Sequence, residues 1–590
     1  LTPQPSTLNP QPSMKHLYIL LLFLSVSLAG YAAKASAPSF AATLSDGRSV
    51  TLTLVGDEHL SYYVADSGEL VLRSDDGTYS VATDAQKDSL EAVLTELNYG
   101  SMETLGSGSS KGVLGSSPRL SYGGATPHKG NVRIPVIMVE FTDTLFRHTR
   151  EDVDRLLNST DYQTTDNRRG YGSAAQYFKD CSDNNFTPQF DVYGPYKLDN
   201  TSKYYGGGAP SQERVLPLVR DALSKAAGDI DFSLYDSDNN ATIDGVCVFY
   251  AGWNSNHTAN DDDLWPQSGN NQVGTYGGKS LTRWLITGEL CGNPGLKDAE
   301  GNYYFTGIGV FVHEFSHMLG LPDFYPTSVT NTEYSKLDNQ SMEDWDVMDN
   351  GENTQMGIYP IPYSAWEREF MGWTDDMEIL TAPANVTLVP LKDGGRGMKI
   401  VNDNDAFGNE FYVLEALPNT SKNGWYRYVR APGMLITHIN YSDSKFKGIN
   451  YPNNTIGKPG ITILPADGYL PSSYRIKSDI TESYGDYLSQ TDYISQLKGD
   501  PYPGSGNVTT FSNYKAYTGT IDKPITNIAY HSEDYSVSFK FMGGTVGING
   551  ISADTDTSAD KARKALVGGR LVIIKGNTVY NAAGVRCTLP

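Results

Sequence analysis

The pattern of apolar and polar positions changes its character several times along the 590 residues. Residues 44–82 alternate apolar and polar side chains between Asp-Gly and Ser-Gly pairs, which predicts short strands joined by hairpin turns. A nearly continuous apolar run at 133–141 is typical of a strand covered on both faces, and helical periodicity follows at 151–158 and 173–180. Short strand-like runs return from about 383 to 542. The pattern therefore predicts a β-rich unit, an α/β (α+β) unit and a β-sandwich, in that order.

The N-terminal region carries a targeting segment. Met14 opens a basic start, which is followed by an apolar run from Leu17 to Leu28 and by small residues up to Ala37. This is the anatomy of a secretory signal peptide. A membrane anchor is the alternative, but the run is short for a span of about 20 residues. We therefore expect a signal peptide at 14–35, a secreted protein and no transmembrane segment.

Composition sets the remaining boundaries and narrows the classes of partner. Residues 106–131 are rich in Gly and Ser and contain Lys and Arg, which predicts an exposed, cleavable linker after a β-rich unit at 36–105. The α/β unit then spans 132–380, the β-sandwich 381–542, and a polar spacer with a C-terminal β-hairpin tail 543–590. The tail is a candidate for cell-surface association. With 46 basic and 68 acidic side chains the net charge is −22, so nucleic acid is not an expected partner.

The segment HEFSHMLGLPD places chemistry-bearing residues in a helical register. His313 and His317 stand four residues apart, so their side chains leave one face of a helix and can share one ion. The apolar residues of the segment fall on the opposite arc, whereas two histidines packed in a core would share that arc. Gly320 and Pro322 end the helix, which frees Asp323 to approach the same ion.

This set of side chains predicts a catalytic metal. Two neutral imidazoles and one carboxylate hold a tetrahedral zinc ion and leave one position open, as catalytic but not structural zinc sites do. Glu314 stands just off the ligand face and is the natural general base for a water molecule whose pKa the metal lowers toward about 7. We therefore expect Zn²⁺ as cofactor, and hydrolysis of peptide bonds in proteins or peptides.

The extended motif, together with DWDVMDNG around Met348, resembles the metzincin clan of zinc peptidases and, within it, the immune inhibitor A family, peptidase family M6. The resemblance spans roughly residues 40–540 and is carried by five segments: RIPVIMVEFTD, GSAAQYFKDCSDNNFTPQFDVYGPY, GIGVFVHEFSHMLGLPDFY, YSAWEREFMGW and PGMLITHINY. It implies a secreted zinc endopeptidase made as a zymogen, with 36–105 as propeptide and a metzincin-like catalytic domain. It also implies His313, His317 and Asp323 as ligands, Glu314 as base and Met348 as the turn methionine. The commonest third ligand of the clan is histidine, so Asp323 follows this family's variant.

The sequence gives less information about how the precursor is kept inactive and about which residue stabilises the oxyanion. The N-terminal unit has no cysteine, because the first cysteine of the chain is Cys181. Latency through a thiolate on the metal is therefore excluded. We expect a trypsin-like protease to release activity by cutting near Arg119 or Lys129. The oxyanion donor stays open among three candidates: Tyr359, Tyr363 and His438.

A second candidate metal site is the loop DSDNNATID. Its oxygen-bearing residues follow the spacing of the first half of a calcium loop: Asp236, Asp238, Asn240, Thr242 and Asp244. Ala241 stands where an EF-hand has glycine, and Cys247 where it has glutamate, so the loop is not an EF-hand. An Asx-rich turn that needs no ion is the alternative. We expect Ca²⁺ here as a second cofactor.

Two alternatives to this zinc endopeptidase stay open. One is a calcium-dependent surface adhesin or glycan-binding protein with a relic zinc site, which replacement of Glu314 or of a ligand would favour. Neither is replaced. The other keeps the enzyme but takes a glutamate such as Glu343 as third ligand, which leaves Gly320 and Asp323 unexplained.

Overall fold

A computed structural model describes residues 30–57, 61–74, 76–87, 126–160, 170–207, 213–326, 341–418, 424–446, 452–455, 458–468, 490–544 and four short strands between 562 and 587. Most of the predicted signal peptide and the predicted linker up to residue 125 lie outside the described residues. The chain separates into two compact units, Leu1–Gly543 and Gly544–Pro590, and each is described by itself.

The N-terminal region forms a small antiparallel sheet. After β1 (Gly30–Ala32), which belongs to another sheet, five described strands pair in chain order: β2 (Phe40–Thr43), β3 (Ser49–Gly56), β4 (Ser61–Ala65), β5 (Leu70–Arg73) and β6 (Tyr79–Val81). The predicted turn glycines Gly47, Gly68 and Gly77 have φ of +88°, +84° and +84°, a region that only glycine adopts freely. The buried side chains of this sheet pack around Trp265 of the α/β unit.

A mixed sheet forms the centre of the α/β unit. It contains β7 (Gly130–Glu140), β8 (Phe186–Lys197), β9 (Thr242–Ile243), β10 (Val246–Trp253), β11 (Gln267–Tyr276) and β12 (Lys279–Leu290). With β1, these described strands have the order β1-β11-β12-β10-β7-β8, and β9 pairs with β12. Strands β12, β10, β7 and β8 run parallel, whereas β11 is antiparallel to β12. The N-terminal β1 pairs antiparallel with β11 and thus covers that edge of the sheet.

Helices cover both faces of this sheet, which explains the continuous apolar run of β7. On one face, alternate residues of β7 share a core with the helices Arg150–Asn158, Ala174–Cys181 and Gly309–Leu319. On the other face, the intervening residues share a core with the helix Val215–Ala226. The other described α-helices are short: Ser202–Gly206, Ser255–Thr258, Ala365–Phe370, Asp443–Phe446 and Gln490–Leu497.

The helices Arg150–Asn158 and Ala174–Cys181 begin directly after residues whose side chains serve as N-caps. The Thr149 hydroxyl accepts a hydrogen bond from the Asp152 amide at 3.2 Å, and the Asp152 carboxylate accepts one from the Thr149 amide at 2.9 Å. This capping box satisfies two amide groups that a helix start leaves free. At the second helix the Ser173 hydroxyl accepts a hydrogen bond from the Gln176 amide at 3.2 Å, without the reciprocal bond. Both helices lie where the helical periodicity predicts them.

Residues 378–541 contain two sheets that share one core. The larger sheet has the order β13 (Glu378–Ile379), β15 (Met398–Val401), β16 (Glu410–Leu417), β17 (Gly433–Asn440) and β18 (Ile461–Ile463), and the smaller has the order β14 (Ala384–Leu388), β20 (Val537–Phe541) and β19 (Ile525–Tyr530). Leu414 of β16 shares a core with Phe539 of the smaller sheet. The opposite face of β16, with Val413, joins the core of the α/β unit. The apolar core therefore continues across the boundary predicted at 380, and no linker marks it.

The end of the predicted linker lies inside the α/β unit. Thr126 and His128 are buried. The Thr126 amide donates to the Met318 carbonyl at 3.0 Å, and the Trp373 indole N–H donates to the His128 carbonyl at 2.7 Å. These contacts use backbone groups, so the polar composition of 126–128 gave no sign of them.

The C-terminal unit is an antiparallel sheet of four described strands: β21 (Ala562–Val567), β22 (Arg570–Lys575), β23 (Thr578–Asn581) and β24 (Arg586–Cys587). Lys575 pairs with Thr578, and the predicted Gly-Asn pair between them lies outside the described residues. Within the described part of the chain, no helix is long and apolar enough to cross a membrane.

Candidate metal centre

The helix Gly309–Leu319, here called the central helix, positions the predicted metal ligands. All of its residues are buried. A Cβ atom at Gly309 would collide with the Glu352 carbonyl oxygen, so glycine permits the close approach of residues 350–357. At the other end Gly320 has φ +110°, and its amide and that of Leu321 return to the carbonyls of the last turn. The helix stops there because glycine adopts this left-handed conformation without steric cost.

The structure brings His313, His317 and Asp323 together. The two Nε2 atoms are 3.1 Å apart, and each lies 3.2 Å from Oδ1 of Asp323. Zinc binds imidazole and carboxylate ligands at about 2.0–2.1 Å, so the ligand atoms of a tetrahedral site stand about 3.3 Å apart. The three donor atoms therefore have the mutual spacing that a zinc ion requires.

Backbone carbonyls fix the orientation and tautomer of both imidazoles. His313 Nδ1 lies 2.8 Å from the Val347 carbonyl oxygen, and His317 Nδ1 lies 2.7 Å from the Leu321 carbonyl oxygen. Because a carbonyl only accepts, each Nδ1 carries the proton and donates it. Each Nε2 of the neutral ring is left with a lone pair directed at the shared point, as metal-binding histidines require.

The Asp323 carboxylate makes the point between the two Nε2 atoms suited to a cation. Asp323 is buried, and neither of its oxygens accepts a hydrogen bond from the described residues. Glu352, whose Oε2 is 3.7 Å from His313 Nδ1, has its pKa raised by burial to about 7. A buried carboxylate without a donor, facing two imidazole lone pairs, fits a bound divalent metal.

Glu314 follows the first histidine and is also buried. Its Oε1 accepts a hydrogen bond from the backbone N–H of Ala33 at 2.8 Å, across 281 residues of sequence. The N-terminal segment thus contacts the central helix at Glu314. The apolar arc predicted for this helix is present, but the opposite arc is buried as well.

Met348 lies in a turn against the first histidine. The carbonyl that orients His313 belongs to Val347, and the Met348 carbonyl accepts from the Phe324 amide at 2.8 Å, next to Asp323. Asp349 holds this turn, because its Oδ2 accepts hydrogen bonds from three groups of its N-terminal end: Ser341 Oγ, the Met342 amide and the Glu343 amide.

The alternative third ligand and the oxyanion candidates find other partners. Among the described residues, the histidines cluster with Asp323 and not with Glu343. Tyr363 donates to Ser316 Oγ in the core, and His438 contacts Glu410 at 3.0 Å in the β region. Tyr359 packs on Tyr428. No described contact brings these three oxyanion candidates to the metal ligands.

The residues of the predicted calcium loop form a second acidic group. Asp236, Asp238 and Asp244 offer oxygens that lie within 4.8 Å of one another. Asp236 also pairs with the Lys279 ammonium. Burial, followed by repulsion from Asp238 and Asp236, raises the pKa of Asp244 to about 6. Asn240 lies in the same loop, where its Oδ1 accepts from the Thr242 amide at 2.7 Å.

Residues 296–374 match the family model described as immune inhibitor A peptidase M6, catalytic domain. This range contains the central helix, Asp323 and Met348. The resemblance to the immune inhibitor A family is confirmed. The pre-pro-metalloprotease PrtV of Vibrio cholerae serotype O1, matched in two strains, is 26% identical to this chain over 256 residues. The match covers 39% of this chain and 27% of the relative, so it spans about a quarter of that protein's length.

Sequence reasoning missed the contacts of Ala33 and Lys34 with the α/β unit, which join residues more than 200 positions apart in the sequence. The surface that holds these two residues is here called the cleft, and it is formed by Asn256, Trp265, Glu314 and Asp349. The small residues at 29–37 signalled a signal-peptide end, and nothing in them indicated a strand on the sheet edge.

Proposed function

We propose that this protein is a secreted zinc-dependent endopeptidase that is made as a latent precursor. The convergence of His313 Nε2, His317 Nε2 and Asp323 Oδ1 at 3.1–3.2 Å carries the proposal. The family match supports the reaction class, and the signal-peptide pattern supports secretion. In this reading the α/β unit is a metzincin-like catalytic domain and Met348 is its turn methionine. The adhesin alternative is not favoured, because the ligands and the base are present and meet.

The chemistry follows from the positions of the side chains. Zinc held by His313, His317 and Asp323 would supply Lewis acidity, which polarises a scissile carbonyl and acidifies water. The Glu314 carboxylate accepts the proton of the attacking water and delivers it to the leaving nitrogen. A backbone nitrogen already reaches this carboxylate, because Ala33 N lies 2.8 Å from Glu314 Oε1. An extended chain in the cleft can therefore present its amide to the base.

The metal requirement is tested on the matured protein. We expect one zinc per chain, cleavage of casein, loss of cleavage when a chelator removes the zinc, and recovery when zinc is returned. Cleavage that persists in zinc-free protein would contradict the proposal.

The N-terminal segment Ala33–Ser36, here called the strap, explains latency. This requires the signal peptide to be cleaved before residue 30, and not at residue 35 where the sequence pattern predicts its end. Its backbone lies in the cleft: Ala33 N donates to Glu314, the Trp265 indole N–H donates to the Ala33 carbonyl at 2.7 Å, and the Ser36 amide donates to the Asn256 carbonyl at 2.8 Å. While the strap is in place, a substrate backbone has no access to Glu314. The N-terminal unit has no cysteine, so backbone oxygen and nitrogen groups of the strap, and not a thiolate, keep the precursor latent.

The N-terminal sheet holds the strap in position and acts as the propeptide. Tyr63 donates to Asp261 at 3.0 Å, and Arg73 forms an ion pair with the same carboxylate at 3.0 Å. Val64 and Tyr62 of β4 pack on Tyr325, two residues after the ligand Asp323. Removal of this sheet would release the strap, which lies directly before it in the chain.

Maturation is tested by treating the purified precursor with a trypsin-like protease. Lys129 is exposed, but a cut there would separate the buried residues Thr126 and His128 from the α/β unit. A cut near Arg119, outside the described residues, keeps them attached, so Arg119→Gln should slow activation more than Lys129→Gln. A fully active uncut precursor would contradict the latency proposal.

Calcium binding by the loop at 236–244 stays a prediction of the sequence. Asp236, Asp238 and Asp244 lie close together in this loop. Lys279 already neutralises part of this charge, which weakens the demand for an ion. Surface association through the C-terminal unit likewise stays a prediction.

A further inference from the structure

The cleft binds the strap as a strand would bind, through backbone groups. Gly30, Tyr31 and Ala32 pair antiparallel with Gly269, Ser268 and Gln267 of β11, the strand that would otherwise be the sheet edge. Immediately after this pairing, the Trp265 indole N–H and the Asn256 side-chain amide donate to the carbonyls of Ala33 and Lys34 at 2.7 and 3.3 Å. Contacts of this kind hold an extended chain of any sequence, as strand addition does in peptide recognition.

One side chain of this segment enters a charged pocket. Lys34 is 5% exposed, and its Nζ lies 3.2 Å from Oδ1 of Asp349, which is 1% exposed. The Tyr325 ring lies 5.7 Å from the same ammonium. A buried ammonium is costly unless a carboxylate pairs with it, so this pocket discriminates by charge.

The carboxylate of this pocket is fixed before any ligand arrives. Asp349 Oδ2 accepts from the amides of Met342 and Glu343 at 2.9 and 2.8 Å. Oδ1 accepts from the Asn350 amide at 2.8 Å and is the atom that faces Lys34. Donors within the turn hold the carboxylate in one orientation, which is how preorganised sites select a ligand.

The distance along the strap between Glu314 and the pocket indicates which residue of a substrate the pocket would bind. The nitrogen of Ala33 reaches the base, so a substrate following the same path would be cut before the residue at that position. Lys34 marks the next residue, which is the second after the cleaved bond. We propose, resting on the function above, that the enzyme selects Lys or Arg at the second position after the cleaved bond, and that Asp349 is the specificity-determining residue.

The test compares fluorogenic peptides that differ at this position alone, carrying Lys, norleucine or Glu, with the matured wild-type enzyme. We expect kcat/KM for the Lys peptide to exceed that for norleucine by about tenfold or more, and Glu to be poorest. Equal rates, or a basic preference at the first position instead, would overturn the inference. An enzyme that cleaves neither these peptides nor casein would instead contradict the proposed peptidase.

The role of Asp349 is tested with Asp349→Asn, which should remove the preference for Lys over norleucine. Asp344→Asn is the matched control, because Asp344 lies in the same turn and pairs with Arg430. It should keep the preference even where it lowers stability. If Asp349→Asn does not fold, cleavage-site profiling of wild type on a peptide library decides: enrichment of Lys and Arg at the second position supports the inference, and its absence overturns it.

Discussion

Two groups of ligand-type side chains in this protein look alike in sequence and differ in structure. The first joins His313, His317 and Asp323, and the second joins Asp236, Asp238 and Asp244. In the first, the imidazoles are oriented by carbonyls and the carboxylate accepts no hydrogen bond from the described residues. In the second, each carboxylate accepts at least one backbone amide, and Lys279 adds a positive charge.

The difference shows which observation identifies a metal site. Both groups contain acidic residues. In the loop, however, backbone amides of the loop itself donate hydrogen bonds to the carboxylate oxygens, as they do in an Asx turn. In the first group the two Nε2 atoms and Asp323 Oδ1 converge on one point, which is the arrangement that a cation requires. Unsatisfied, oriented donors therefore carry the argument for zinc, and the acidic loop lacks them.

The largest expected effect is the loss of zinc and of casein cleavage in Asp323→Ala, with Asp238→Ala as its control. Asp323→Ala should lose bound zinc and lower casein cleavage more than 100-fold, because even residues that only orient metal ligands cost about 10–100-fold. Asp238→Ala, the matched control on an exposed carboxylate, should keep both zinc and cleavage. Metal analysis and casein assays on the matured proteins measure this, and equal losses in both would erase the distinction.

The next effect concerns the strap. Lys34→Ala in the uncut precursor removes a charge-assisted contact worth about 1.5–3 kcal/mol, so the strap should open more often and the precursor should gain measurable activity before any cut. Lys87→Ala, at a lysine whose side chain is 50% exposed, should leave the precursor latent. If Lys34→Ala is as silent as this control, the strap does not govern access to Glu314.

The buried carboxylate of Asp500 should make the free energy of unfolding depend on pH. Burial raises the pKa of Asp500 to about 8, although its Oδ2 accepts from the Trp345 indole N–H at 2.8 Å. The folded protein keeps this proton up to about pH 8, whereas the unfolded chain releases it above about pH 4, so the free energy of unfolding should fall between these values by at most about 1.4 kcal/mol per pH unit. Asp500→Asn should flatten that decline in denaturant titrations. The exposed control Asp375→Asn should not, and an unchanged slope in Asp500→Asn would refute this assignment.

The smallest expected effect belongs to the acidic loop. If the loop binds calcium, a chelator that spares zinc should lower the unfolding temperature by a few degrees, in line with a contribution of about 1 kcal/mol. Asp238→Ala should abolish that shift. An unfolding temperature that ignores calcium removes the site and leaves the loop as an Asx turn.

The sequence predicted what depends on local spacing. The register of His313 and His317, the stop at Gly320 and the return of Asp323 are all contained in eleven residues, where helix geometry alone decides which side chains meet. The helices at 150–158 and 174–181 followed from their periodicity for the same reason.

The rest depends on contacts between distant segments, which a single sequence does not display. Ala33 meets Glu314 across 281 residues, and Lys34 meets Asp349 across 315. The small residues at 29–37 predict the end of a signal peptide at residue 35, inside the strap, whereas the latency proposal requires cleavage before residue 30. The continuous core on both sides of residue 380 arises because β16 presents apolar side chains to two neighbours at once.

Glu314 offers the most direct test of the central claim. The measurement is zinc content together with casein cleavage for matured wild type and matured Glu314→Gln, which preserves the shape of the side chain and removes the base. The account predicts stoichiometric zinc in both proteins and cleavage only in wild type. Cleavage by Glu314→Gln at the wild-type rate, or zinc-loaded wild type that cleaves nothing after confirmed removal of the N-terminal region, would contradict it.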